Sequence, residues 1–350
     1  MDAAEFERCV AEWRAEMQAW IHEQLDRLGA SVTGPIEPRD RPWSMIMQVP
    51  TSDGQVWFKA NSPAASFEPA LTLALGRWAP GTVLTPLAVD ADRGWSLLPD
   101  AGTSLRTLLD AEPEVRLWED ALQGYAALQR TVAGRIDDML ALRVPDLRPD
   151  TLPDHFDLLL DSPQVKDQID VPDGIPAQRY AEVRALRPTF VRWCEQLAAG
   201  GVPMSIDHCD LHDGQVFRAA GGSAGGWVFI DWADASVGHP FGTLHEAMKR
   251  ATQRFSLAPD SAELTRLRDA YLEPWTDEHD TADLREAARL AMHLGLIGRA
   301  MAWYRIFPMT EAFVWQLHGR DVARFLSRLL ELEPGLRPES GVRPVEVPAE

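Results

Sequence analysis

Lysine is nearly missing from this chain of 350 residues: of its 34 basic side chains only Lys59, Lys166 and Lys249 are lysines. Arginine is the default cation, so each lysine marks a place where a compact ammonium serves better than a planar fork. Cysteine is scarce too. Cys9, Cys194 and Cys209 are widely scattered and odd in number, which argues against a disulfide framework and for a reducing cytoplasm. There is no run of about 18 apolar residues, so no membrane span is expected. The opening "MDAAEFERCVAEWRAEM" is acidic and amphipathic, unlike a secretory leader. Positive charge is outweighed as well. A net charge of -19 argues against nucleic acid as a partner. It either keeps the surface soluble or concentrates a cationic small molecule in an acidic cleft. No internal repeat divides the chain.

What is present reads as two lobes. From residue 3 to 28 the apolar positions Phe6, Val10, Trp13, Met17, Trp20, Ile21, Leu25 and Leu28 step by threes and fours along one helical face. "WSMIMQVP" and "QVWFKA", joined by "TSDG", form a hairpin. A helix begins near Ser66 or Phe67, and "VLTPLAVDADRGWSLLPDAG" supplies two more strands. From Leu105 the periodicity turns helical, apart from short strands around residues 206–232. The proline- and aspartate-rich stretch 136–175 is expected to be loops with one short helix. These signals predict an N-terminal helix over 1–29, a strand-rich lobe over 30–100 and a helical lobe over 101–335. The Pro- and Glu-rich tail 336–350 has little to bury and is expected to be disordered.

Chemistry concentrates in two motifs. "SIDHCDLHDGQVF" packs His208, Asp210, His212 and Asp213 into six positions, and "FIDWAD" places Asp231 behind an apolar strand. Taken alone, the first loop fits a His/Asp metal cage or a phosphoryl-transfer site. Lys59 ends a strand, and Glu68, nine residues on, opens a helix where its carboxylate can hold that ammonium over a phosphate. Asp210 sits between short strands and can reach a substrate hydroxyl. Gln215 offers an amide oxygen, and Asp231 an anionic oxygen, to a hard cation such as Mg²⁺.

In this order, Lys59, Glu68, "HCDLHDGQVF" and "FIDWADASVGHP" resemble the aminoglycoside phosphotransferase family of kinase-like enzymes. That family reads His-Gly-Asp-Leu-His-x-x-Asn in the loop and Ile-Asp-Trp or Ile-Asp-Phe, then Gly-Asp-Pro, further on. The resemblance covers roughly residues 30–330 and implies an α+β, protein-kinase-like two-lobe fold. It further implies ATP and Mg²⁺ as cofactors, with γ-phosphate passing to a small-molecule hydroxyl such as an aminoglycoside, sugar or amino alcohol. By the same resemblance Asp210 is the catalytic base, and Gln215 and Asp231 are the metal ligands. Lys59, paired with Glu68, meets the α- and β-phosphates. Leu98, Pro99 and Ala101 in "WSLLPDAG" resemble the hinge that holds adenine, and His212 touches phosphate or supports the loop, while His208 braces it. Asp234, Glu246, Trp303 and Tyr304 are candidates for the acceptor side. The departures are Gln215 for Asn, His239 for the Asp of Gly-Asp-Pro, Thr243 where an Asp often follows, and the lack of a Gly-x-Gly-x-x-Gly loop.

Two rival readings stay open at this level. A metal-dependent hydrolase would use His208, Asp210, His212 and Asp213 as ligands, but that loop presents them from one side only. A catalytically silent relative that binds a nucleotide or metabolite would account for Gln215.

Overall fold

The computed structural model describes residues 3–41, 43–219, 226–306 and 312–331; the tail expected to be disordered, 336–350, lies outside them. Helix α1 (Ala3–Arg27) precedes the strands β1 (Glu37–Arg41), β2 (Ser44–Thr51) and β3 (Gly54–Asn61), and helix α2 (Glu68–Trp78) leads on to β4 (Ala88–Asp90) and β5 (Trp95–Pro99). The five strands form one antiparallel sheet in the order β1-β2-β3-β5-β4. The "TSDG" turn closes β2 on β3: Gly54 takes a φ of 115°, which a side chain would resist, and the Thr51 hydroxyl donates to its carbonyl at 2.7 Å.

Alternation along β2 and β3 decides which way the sheet faces. Met45, Met47, Val49, Val56, Phe58 and Ala60 point to one side and are buried with Met17, Trp20, Ile21 and Leu25 of α1. Trp20, Phe58 and Trp95 form a triangle of rings with centroids 5.6–5.9 Å apart, an arrangement that edge-to-face attraction favours. Lys59 therefore leaves the opposite face, in register with Ile46 and Ser96.

The second lobe opens with α3 (Leu105–Ala111) and α4 (Val115–Val132), followed by α5 (Ile136–Ala141), β6 (Asp146–Leu147), α6 (Leu152–Asp161), α7 (Pro163–Lys166), α8 (Ala177–Ala185) and α9 (Arg187–Ala199). Then come β7 (Ser205–Asp207), β8 (Val216–Arg218), β9 (Trp227–Phe229) and β10 (Ser236–Gly238). Helices α10 (Leu244–Phe255), α11 (Ala262–Leu272), α12 (Thr281–Ile306) and α13 (Ala312–Arg328) complete it. Stretch 136–175 is more helical than its prolines suggest. Pro153 and Pro163 fall in the first turns of α6 and α7, where a missing N–H costs nothing.

The apolar core divides as the two-lobe expectation requires. One cluster belongs to α1 and the sheet. The other runs from Phe67 to Leu329 and takes in α2, so that helix is packed on the second lobe's core. Between them runs Pro99–Ser104, where Gly102 has a φ of 82° and its N–H donates to Asp100 Oδ1 at 2.7 Å.

Gln129 of α4 ties the centre of the helical lobe to its strands. Its side chain is fully buried. Its Nε2 donates to Ile206 O at 2.7 Å and to Pro240 O at 2.9 Å, and its Oε1 accepts from the Tyr271 hydroxyl. Its own carbonyl accepts from Ser205 Oγ at 2.7 Å. Removing the amide leaves buried carbonyls unmet, at about 1–3 kcal/mol for each group. Gln129→Leu is therefore expected to lower unfolding free energy by about 3 kcal/mol in urea denaturation, and a change below about 1 kcal/mol would show that the amide is replaceable.

Candidate active site

The site lies where the uncovered face of the first sheet meets the strand ends of the second lobe. Lys59 Nζ is 2.9 and 2.7 Å from the two oxygens of Glu68 and 2.5 Å from Asp231 Oδ1. The lysine and the glutamate are both buried. Burial alone would lower the lysine's pKa, but Asp231 and Glu68 outweigh it and raise it. Burial raises Glu68 despite Lys59 beside it. For Asp231 burial pushes upward, and the Lys59 charge overrides it, so the carboxyl lies below its usual range. Glu68 Oε1 also accepts the N–H of Trp232 at 2.8 Å. Three side chains from two lobes thus share one ion-paired knot.

Asp231 is delivered by its backbone. It has φ 66° and ψ 67°, a left-handed conformation that Asp tolerates better than most residues yet which still costs about 1 kcal/mol or more. The carboxylate consequently turns out of the β9 direction, its oxygens enclosed by Lys59 and Gln215 while 43% of the side chain stays open to the cleft. Gln215 immediately precedes the facing strand, β8. Val216 pairs with Phe229, and Ile230 N–H donates to Gln215 O at 3.1 Å, so the hairpin register sets Gln215 against Asp231. Gln215 Nε2 lies 3.0 Å from Asp231 Oδ2. Among the described residues the amide oxygen is buried with no partner, an orphaned acceptor that a hard cation would satisfy. The side chain reaches the Asp231 carboxylate from the position just before β8.

Asp210 follows Cys209, which also has positive φ, 59°, at the position where the resembling family has Gly. The Cys209 thiol is buried, 3.3 Å from Ser236 Oγ. Its N–H donates to Asp207 Oδ1 at 2.9 Å, and burial pushes the Asp207 carboxyl up to about 7. Burial likewise raises Asp210 to about 7, against the pull of Arg299 and with Asp234, Glu246 and Asp231 adding to the rise. His208 Nε2 is 2.9 Å from Ile230 O and its ring is fully buried, so it braces one motif against the other. His212 Nδ1 accepts the Gly214 N–H at 3.0 Å. Burial and the nearby Arg250 and Arg106 lower it to about 4, so it is a neutral loop support whose Nε2 stands 3.9 Å from Asp210.

Two arginines complete the site, and motif spacing had no way to name them. Arg299, in the middle of α12, is 7% exposed and reaches Asp210 Oδ1 at 3.1 Å and Asp234 Oδ2 at 2.8 Å. Arg106, from α3, grips Asp213 at 2.8 and 3.0 Å. The signal for Arg299 was present in "LGLIGRAMAW": an arginine flanked on both sides by apolar helix is costly to bury unless a carboxylate meets it.

The remaining candidates are dispersed around this centre. Asp234 is held by Arg299. Glu246 is buried and paired with Lys249 and Arg250 at 2.9 and 2.6 Å. Trp303 stands edge-on to Trp43, at the β1–β2 turn, with centroids 5.6 Å apart. Tyr304 is half-buried against the helical core. Leu98, Pro99 and Ala101 line the half-buried link between the lobes. The hydrolase reading loses its ligands: Asp213 is taken by Arg106, His208 by a carbonyl, and no three His, Cys, Asp or Glu groups among the described residues could hold a metal.

No family model and no curated protein matches the chain, but solved structures do. The ethanolamine kinase of Plasmodium vivax superposes with a TM-score of 0.56 at 12% identity, over 83% of this chain and 82% of that one. A choline/ethanolamine kinase family protein from Mesorhizobium loti gives 0.54 at 14% identity, over 87% and 90%. Amicoumacin kinase in complex with AMP-PNP and Ca²⁺ gives 0.51 at 12% identity, over 85% and 88%. At such identities the likeness establishes the fold, an α+β kinase-like architecture of two lobes.

The Lys59–Glu68 pair invites a stability test, because removing one member strands a buried charge at a cost of about 3–5 kcal/mol. Lys59→Met is expected to destabilise by about 3 kcal/mol in chemical denaturation, and adding Glu68→Gln should recover part of that loss. No recovery in the double variant would mean that Lys59 acts by packing rather than charge.

Proposed function

We propose that this chain is a small-molecule kinase, which moves the γ-phosphoryl group of ATP to a hydroxyl of a small organic acceptor. One observation carries the reading. An ammonium paired with a carboxylate, an amide oxygen left open beside a second carboxylate, and a third carboxylate of raised pKa share one cleft. Phosphoryl transfer asks for these parts and little else, since its catalysis is mostly positioning and charge neutralisation. The fold shared with kinases, one of them holding AMP-PNP and Ca²⁺, supports it.

Each residue then has a defined task. Lys59 neutralises phosphate oxygens and is kept charged and straight by Glu68. Gln215 and Asp231 would hold Mg²⁺, which when bound supplies positive charge against the phosphates. Leu98, Pro99 and Ala101 would bound the adenine site, and the Trp43 turn would cover the phosphates where a glycine-rich loop is lacking. Asp210 accepts the proton of the acceptor hydroxyl as its oxygen bonds to the γ-phosphorus and the bond to the leaving ADP oxygen breaks. A carboxyl near 7 suits that task, because a base works best with a pKa close to the operating pH. Arg299 positions Asp210 and holds its pKa down. The open, buried oxygen of Gln215 favours a working cation site over a silenced one.

Asp210→Asn is expected to reduce ATP-dependent phosphorylation by about 10²–10⁴-fold while leaving Mg-ATP affinity near that of the parent. Asp231→Asn should weaken cation-dependent nucleotide binding as well. Equal Mg-ATP affinity in both variants would remove Asp231 from the cation site. The pH profile offers an independent check. Asp210 must be ionised to act, so kcat/KM should fall as pH drops through about 7. Arg299→Met removes the charge that favours ionisation and should move that limb to higher pH; an unmoved limb would deny Arg299 its role.

A further inference from the structure

Arg305 ends α12 with a guanidinium that the site described so far does not use. Among the described residues its Nε and Nη1 are buried without a hydrogen-bond partner, and Nη2 makes only a 3.4 Å contact to the backbone carbonyl of Asp234. The Asp234 carboxylate would be the natural counter-ion, but Arg299 has it at 2.8 Å. The Phe67 ring lies 5.9 Å away, which closes the other side with apolar surface. Burial pulls the guanidinium's pKa below its ordinary value, against the attraction of the Asp234 carboxylate and with Arg299 adding repulsion. A desolvated cation with open donors is costly, and its remedy is an oxyanion brought from outside.

We infer that the acceptor carries an anionic group, a carboxylate or a phosphate ester, and that Arg305 receives it while the hydroxyl faces Asp210. The inference rests on the kinase reading above and narrows it. Local charge supports it. Asp210 and Asp234 both pair with Arg299, and Glu246 pairs with Lys249 and Arg250. Each of these carboxylates already has a cation, and among the described residues Arg305 is left without a carboxylate partner. Arginine also meets carboxylate and phosphate oxygens with two parallel N–H groups.

The test uses the full chain with three-carbon probes that differ in charge: glycerate, glycerol 3-phosphate and glycerol, with ethanolamine as the cation. Phosphorylation is followed as ADP release, and probe binding without nucleotide as a thermal shift. Glycerate or glycerol 3-phosphate should exceed glycerol and ethanolamine in kcat/KM by about tenfold or more. Arg305→Met should erase that preference, and Arg305→Lys should keep part of it. If none of the probes is turned over, an anionic probe should still stabilise the parent and fail to stabilise Arg305→Met. Ethanolamine as the best acceptor, or a preference unchanged in Arg305→Met, would overturn the inference and leave the kinase reading standing. A loss of Mg-ATP affinity in Arg305→Met would overturn it too, by assigning the arginine to the nucleotide. Absence of Mg-ATP binding in the parent would count against the kinase reading itself, while the nucleotide-free shift still decides the anion site.

Discussion

The ammonium of Lys59, clasped between Glu68 and Asp231, is the contact on which the rest of the arrangement depends. It is the point where the sheet, helix α2 and the strand ends of the helical lobe meet in a single electrostatic unit. Each partner is held by a different kind of constraint. Lys59 is aimed by strand alternation, since its neighbour Phe58 is committed to the core shared with α1. Glu68 is fixed at the first turn of a helix that packs on the other lobe. Asp231 is turned outward by a left-handed backbone. Because the members come from separate units, the lobes cannot shift greatly without exposing or orphaning a charge. A buried ion pair of this kind is a weak source of stability, and what it contributes here is placement.

Placement also governs the second lobe. Its strands are only two or three residues long and add little as a sheet, but they carry both acidic loops on a helical mass. Gln129 ties α4 to the strand ahead of the His208 loop, and His208 joins that loop to the one bearing Asp231. Arg106 and Arg299 reach in from α3 and α12 to fix Asp213 and Asp210. Each acid facing the cleft thereby has a partner supplied by a distant part of the chain, and rigid helices hold the loops more accurately than the loops could hold themselves.

Much of this could be read from the residues in order. The helix over 3–28, the hairpin bearing Lys59, and the succession of Asp210, Gln215 and Asp231 rest on local pattern, and local pattern survives folding. Stretch 136–175 misled because proline was read as a helix breaker, whereas at Pro153 and Pro163 it starts helices. Arg299 and Arg305 escaped for a different reason. Their roles arise from which acidic residues α12 meets after the lobe has packed, and no spacing within the sequence encodes contacts made across 65, 71 or 89 residues. Glu246 drew attention as an acid near the second motif, yet its carboxylate is satisfied by its own helical neighbours one turn on. Position within a motif shows which chemistry is available, and long-range packing decides which charges are left free to perform it.

The thiol of Cys209, buried against Ser236 one residue before Asp210 and held protonated by its surroundings, makes this loop a built-in reporter. In the closed lobe it is shielded from alkylating and oxidising reagents, which need a thiolate and a path to it. Its modification rate therefore measures how often α12 and β10 part from the loop. Any ligand that tightens the cleft should slow that chemistry without touching the sulfur.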